Sequence, residues 1–241
     1  MENSVADKMA ASSVSGWVNG LLGVIIFSGS LPATRVAVLD MDPFFLTFLR
    51  ASIAGTLAVI LVYYFREKRP QAAQFAPLII VSVGVIVGFP LLTAMALKHI
   101  DAAHSIVYLG LLPLSTAIFG VLRGGERPTI AFWIFSVLGS LLVIGFAFMQ
   151  SDTVSLTGDL LMLAAVVICG LGYAEGAKLT RVLGYKGLAT GGIAAVGQLQ
   201  LLQPFFGLGL SATLLHEAIS PLMILITFGV ILCVIGSRKF S

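Results

Sequence analysis

Long apolar runs alternate with short polar breaks along this chain. Eight runs stand out: Trp17–Val38, Pro43–Phe65, Ala76–Leu97, Ala102–Leu122, Ile130–Met149, Leu160–Ala177, Gly191–Leu215 and Leu222–Ile235. Most have the roughly 18–25 residues an α-helix needs to cross the hydrocarbon core of a bilayer. The last is short unless it begins at Ile219. The pattern predicts an all-α polytopic membrane protein with eight transmembrane helices. Gly29, Gly170 and Gly172 inside the runs point to close helix packing, and Pro32, Pro90, Pro113 and Pro204 to helix kinks.

The order of the runs contains an internal echo. Pro113 and Glu126 reappear as Pro204 and Glu217 at an offset of 91, and Leu97/Leu188 and Ala103/Ala194 match at the same offset. A second echo aligns Gly29 with Gly172 and Arg35 with Lys178 at an offset of 143. A complete duplication keeps one offset throughout. The two offsets differ by 52, close to two membrane helices of about 20–25 residues each. Residues 1–149 therefore read as a first repeat of five helices, and 150–241 as an incomplete second repeat of three. The shortfall falls between Lys178 and Gly191. A repeat with an odd number of helices enters the membrane the second time upside down. Inverted repeats of this kind are a recurrent transporter architecture, with the substrate site near the midplane.

Composition agrees with this picture. The 241 residues are 58% hydrophobic and 10% charged, against about 25% charged in ordinary soluble domains. Mean hydropathy is +1.04. Net charge is only +3, and the basic residues sit in short loops, which argues against nucleic acid as a partner. The lipid bilayer is the first partner implied. Cys169 and Cys233 both lie in apolar runs, so nothing suggests a disulfide framework, a metal site or a cofactor. Lys and Arg set the orientation. Lys8; Arg66, Lys68 and Arg69; Arg123 and Arg127; Lys178, Arg181 and Lys186; and Arg238 and Lys239 fall on one side, and Lys98 alone on the other. By the positive-inside rule both termini are cytoplasmic.

A few polar residues within the runs are candidates for chemistry. Arg50 lies two turns into its helix, where a charge faces the bundle interior or a water-filled cavity. It reads either as an anchor for an anionic or zwitterionic substrate, or as a structural group paired with backbone carbonyls or with Asp40 or Asp42. Glu175, the one acid within a run, is the proton-coupling candidate, with Lys178 three residues on and on the same helix face; an interfacial ion pair is the alternative. Gln198, Gln200 and Gln203 cluster around Pro204 and suggest a polar pathway lining, facing Tyr108 beside the matching Pro113. Helix–helix hydrogen bonding is the other reading of both groups. His99, His104 and Asp101 read as a polar turn at the membrane surface, and Glu126 and Glu217 as helix-capping groups. No metalloprotease, hydrolase, P-loop or dinucleotide motif is present.

Two stretches carry a family resemblance. GSLPATRVAVLDMDPFFLTFLRASIAG has the small pair Gly29-Ser30, a helical turn, Pro43 opening the next helix and Arg50 seven residues later. LLQPFFGLGLSATLLHEAISPLMILITFGVILCVIGSRKF has a mid-helix Pro, a Glu in the loop, a Gly-bearing last helix and a basic tail. Both resemble the EamA-like family of the drug/metabolite transporter superfamily. The resemblance implies two inverted five-helix repeats in the bacterial inner membrane, moving small metabolites or drugs between the repeats. This chain departs from it by lacking the counterparts of helices seven and eight. The expected function is therefore a secondary transporter exporting a small polar metabolite or drug by proton coupling or exchange. The alternative is a non-transporting, internally deleted remnant or assembly partner, its exposed faces covered by lipid or by a homodimer.

Overall fold

The computed structural model describes residues 22–23, 25–66, 69–125, 129–149, 155–183 and 203–239. Among these residues the chain is all-helical, with eight helices. Residues 25–28 are helical and lead through a turn at Gly29 into α1 (Ser30–Asp40), followed by α2 (Pro43–Tyr64). The third helix, α3 (Ala72–Ala96), contains a π-helical stretch, Ser82–Gly88. The fourth, α4, joins Ala102–Tyr108 to Leu112–Gly124 through a 3-10 turn at Leu109–Leu111. Then come α5 (Ile130–Met149), α6 (Leu156–Leu183), α7 (Gln203–Leu214) and α8 (Pro221–Lys239). By length and composition, four described helices can cross a membrane: Pro43–Tyr64, Ala72–Ala96, Ala102–Arg123 and Leu156–Leu179.

The helix starts follow local chemistry. Asp42 caps α2, its carboxylate accepting from the amides of Phe44 at 2.9 Å and Phe45 at 3.1 Å, while Pro43 takes the first helical position, where a missing N–H costs nothing. Ser220 and Pro221 open α8 the same way, Ser220 Oγ accepting from Met223 N at 3.2 Å. At the head of α4, Asp101 accepts from His104 N at 2.6 Å, and Glu217, from the loop after α7, accepts from Ala102 N at 3.0 Å and Ala103 N at 2.8 Å. Three of the four orphan amides of that helix end are thus bonded to carboxylates.

Helix bounds differ from the sequence expectation mainly in α6, which runs 28 residues instead of Leu160–Ala177. Ser155 starts it early by accepting from Gly158 N and Asp159 N, and nothing after Lys178 breaks a helix before Gly184. Similarly, Gln71 and Gln74 form a capping box that starts α3 at Ala72 rather than Ala76.

Irregular backbone precedes three prolines. The turn at Gly29 lies just before Pro32, the π stretch before Pro90, and the 3-10 turn before Pro113. Each proline removes one amide from the helical ladder and crowds the carbonyl four residues back. Pro204 sits in the first turn of α7.

Packing concentrates on α6, which lies against α4 and α3, and on the α5–α8 pair. Small residues let the backbones meet. A Cβ on Gly84 would lie 2.7 Å from the Ile168 carbonyl oxygen, and one on Gly172 would lie 2.7 Å from Val85 Cγ2. The α7 helix packs on the first part of α4, so both helix pairs related by the 91-residue offset, α4 with α7 and α5 with α8, are in contact.

Candidate functional site

A cavity of about 240 Å³ lies where α1, α2 and α3 converge, with Leu109 of α4 and Tyr173 of α6 completing its wall. The first helical segment contributes Phe27, Ser30, Leu31 and Thr34. The second contributes Thr47, Arg50, Ala51 and Ala54, spaced so that they share one face of α2. The third contributes Val85, Ile86, Phe89, Pro90 and Thr93, so the cavity wall includes the π-helical stretch and the proline that follows it. Single π turns inside α-helices are frequent at functional sites.

Among the described residues, Arg50 is the only charged one lining this space. Its Nη1 donates to Thr34 Oγ1 at 3.1 Å, and Thr34 in turn donates to Ser30 O at 2.7 Å. Four further hydroxyl-bearing residues line the cavity: Ser30, Thr47, Thr93 and Tyr173. Thr47 and Thr93 are 2% and 3% exposed, and among the described residues neither hydroxyl has a hydrogen-bond partner. Leaving such a group unsatisfied costs about 1–3 kcal/mol. Ser211 on α7 and Thr227 on α8 are also buried without a partner among the described residues, away from this cavity.

Beyond the cavity, the parallel helices α4 and α6 are fastened at both ends. At one end His104 Nε2 and Asp159 Oδ1 share a hydrogen bond at 2.9 Å, both buried, with Tyr108 stacked on the imidazole at 5.7 Å between ring centroids. At the other, Arg123 Nε donates to Glu175, which is 1% exposed, and Lys178 Nζ lies 3.5 Å from the Arg123 carbonyl oxygen. The His104 end also carries Glu217 on the α4 amides, and Arg35 of α1 donating to the Leu97 carbonyl at the end of α3.

The sequence candidates divide accordingly. Arg50 and Pro90 line the cavity. Arg50 turns to a threonine hydroxyl rather than to Asp40 or Asp42, because Thr34 lies across the α1–α2 contact at its own depth. Tyr108 is buried but stands with His104 and Asp159, outside the cavity. The ion-pair partner of Glu175 is Arg123, not Lys178: Glu175 faces α4, where the guanidinium arrives from the neighbouring helix. His104 is not part of a surface turn but a buried group, because Asp159 from α6 meets it. Glu217 caps a helix as expected, though one of the first half. Gln198, Gln200 and Glu126 lie outside the described residues, as do the side chains of Gln203, Pro204 and Pro113. Sequence reasoning missed Thr34, Thr47, Thr93, Tyr173 and Asp159. Thr47 was within reach, three residues before Arg50 on the same helix face.

Comparison with known proteins agrees with a membrane transporter. The model of the EamA-like transporter family matches residues 14–148. The transporter YdeK of Bacillus subtilis (strain 168) is 48% identical over an alignment of 283 residues that covers 95% of this chain and 99% of that protein. A transporter of Archaeoglobus fulgidus is 27% identical over 150 residues, covering 59% of this chain and 50% of its own. The chain belongs to the EamA-like transporter family and is not an enzyme. The alignment to the Bacillus protein, 283 positions against a chain of 241 residues, leaves at least 42 positions with no counterpart here.

Proposed function

We propose that this chain is a secondary transporter of the inner membrane that exports a small polar metabolite, by proton coupling or exchange, through the cavity around Arg50. The observation that carries this reading is the cavity itself. A permanently charged guanidinium and several hydroxyls converge on one space inside helices that are otherwise apolar, and intramembrane charges of this kind mark substrate or ion paths. At about 240 Å³ it lies below the roughly 300–1,000 Å³ typical of drug-sized sites, which favours a metabolite over a drug. The two fastened ends of α4 and α6 supply gates: His104–Asp159 on one side, Arg123–Glu175 on the other. Releasing one while the other holds would rock these helices and shift Leu109 and Tyr173, which border the cavity. In this reading Glu175 is the proton-coupling group, with Arg123 and Lys178 as its charge partners, and Gln198, Gln200 and Gln203 extend the pathway in the second repeat.

The expected topology places both termini in the cytoplasm. Cysteines introduced at Thr153 and Ser237 should label from opposite faces; labelling from one face would reject the assignment. Transport is tested by flux of candidate metabolites in proteoliposomes, compared with a chain in which the helix pair between Lys178 and Gly191 is restored from the Bacillus relative.

A second reading, a non-transporting remnant or assembly partner, is favoured by one observation. The helix α2 is exposed on all sides from Ser52 to its end at Tyr64. The 52-residue difference between the internal offsets and the unmatched positions of the Bacillus relative both support a lost helix pair. Flux only in the restored chain would establish this second reading and overturn the first.

A further inference from the structure

We infer that the Arg50 cavity receives a small organic monoanion, head group towards Arg50, Thr47 and Thr93, and that the head group is a carboxylate. The inference rests on the transporter reading above and narrows its cargo.

The first argument is charge. Among the residues lining the cavity there is one cation and no acid, and no ion pair among the described residues involves Arg50. Its hydrogen bond to Thr34 uses one of five guanidinium donors. Arg50 is itself exposed, and a single positive charge in a lining with no other charge is balanced by a single negative one. A guanidinium presents parallel N–H groups that match the two oxygens of a carboxylate. Cations are repelled, and a zwitterion would bring an ammonium with no carboxylate to meet it.

The second argument is the threonines. Thr34, Thr56, Thr116 and Thr213 each donate to the carbonyl four residues earlier in their own helix. That is the ordinary resting place for a hydroxyl in an apolar helix. Thr47 and Thr93 line the cavity, are almost fully buried and make no such bond. Two buried hydroxyls without partners, in a lining that also holds a guanidinium with donors to spare, suit an acceptor-rich group. The rest of the ligand meets Leu31, Phe27 and Phe89, which suit a short apolar body.

Four-carbon probes isolate the head group: butyrate, 1-butanol, butylammonium and the zwitterion 4-aminobutyrate. Thermal unfolding of the purified full-length chain in detergent is followed against each, at ionic strength held constant with chloride. Butyrate alone should raise the midpoint, and saturably. A response to 1-butanol or 4-aminobutyrate equal to that of butyrate would overturn the monoanion assignment, as would no response to butyrate. In Thr47→Val/Thr93→Val the midpoint without ligand should hold or rise, because buried unpaired hydroxyls are removed, while the butyrate Kd weakens at least about tenfold. Unchanged butyrate affinity in that variant would remove the threonines from the site. Arg50→Gln should abolish the butyrate response; if that variant does not fold, the double threonine variant decides. Binding and flux fail separately. Butyrate binding without flux in any form of the chain would overturn transport and leave the ligand class standing. Flux of an uncharged substrate without butyrate binding would do the reverse.

Discussion

Helices α2 and α6 are nearly equal in hydropathy, 2.0 and 1.9 over their most apolar stretches, yet 11% of that stretch is buried in α2 and 39% in α6. Composition does not separate them; partners do. The α6 helix carries Asp159 and Glu175, each met by a group on α4, and two glycines that bring it against neighbouring helices: Gly172 against α3 and Gly170 against Ser115 of α4. The α2 helix carries one charge, Arg50, turned to the cavity, and a glycine, Gly55, with nothing within 4 Å of where a Cβ would stand. The internal offsets suggest why. They pair α1 with α6, α4 with α7 and α5 with α8, and leave α2 and α3 without counterparts. The α3 helix still packs on α6, whereas α2 is exposed throughout from Ser52 to Tyr64. Polar and small residues along an apolar helix therefore report where protein neighbours are, and a uniformly apolar, exposed stretch reports where a neighbour is missing or lipid stands in.

The largest effect should come from breaking the packed side of this comparison at its charge. Arg123→Ala strands the Glu175 carboxylate, 1% exposed, without its cation. We expect a loss of about 3 kcal/mol, the low end for a broken buried pair because Arg123 is itself half exposed. Glu175→Gln should cost far less, since it leaves an accessible guanidinium behind. Denaturant or thermal unfolding of both variants checks the order; equal losses would mean that Lys178 or water replaces Arg123.

Next is the close approach of α3 and α6. Gly84→Ala places a methyl 2.7 Å from the Ile168 carbonyl oxygen, a backbone atom that cannot rotate away. The helices must separate, at about 1–3 kcal/mol. An unfolding midpoint unchanged by Gly84→Ala would show that this contact is looser than described.

Most of the helices were legible because a bilayer demands long apolar runs, and because Asp42-Pro43 and Ser220-Pro221 are local start signals. Arg50 was legible for the same reason, as a charge where hydrocarbon is expected. What was not legible depends on neighbours distant in sequence. The spacing of Glu175 and Lys178 correctly says that they share a face, but which face meets α4 is set by packing, and Arg123 stands 52 residues away. His104 looked like part of a surface turn because Asp159, which meets it in the interior, belongs to another helix 55 residues on. Thr93 could not be attached to Arg50 by any spacing rule, since only the crossing of α2 and α3 brings them to one cavity.

The smallest expected effect tests the exposed side. Gly55→Ala adds a methyl into open space in the middle of α2. With no neighbour to displace, only backbone propensity remains, and Ala is preferred over Gly in a helix by up to about 1 kcal/mol. The chain should become slightly more stable, or not change. The same substitution in the chain carrying the restored helix pair gives the comparison its edge. If that pair packs on α2, the glycine becomes a contact like Gly84, and Gly55→Ala should turn from neutral to destabilising by about 1–3 kcal/mol. A change of sign between the two backgrounds would place the added helices against α2. The same small gain in both would mean that this half of α2 faces lipid with the added pair present too, and that the pair packs elsewhere.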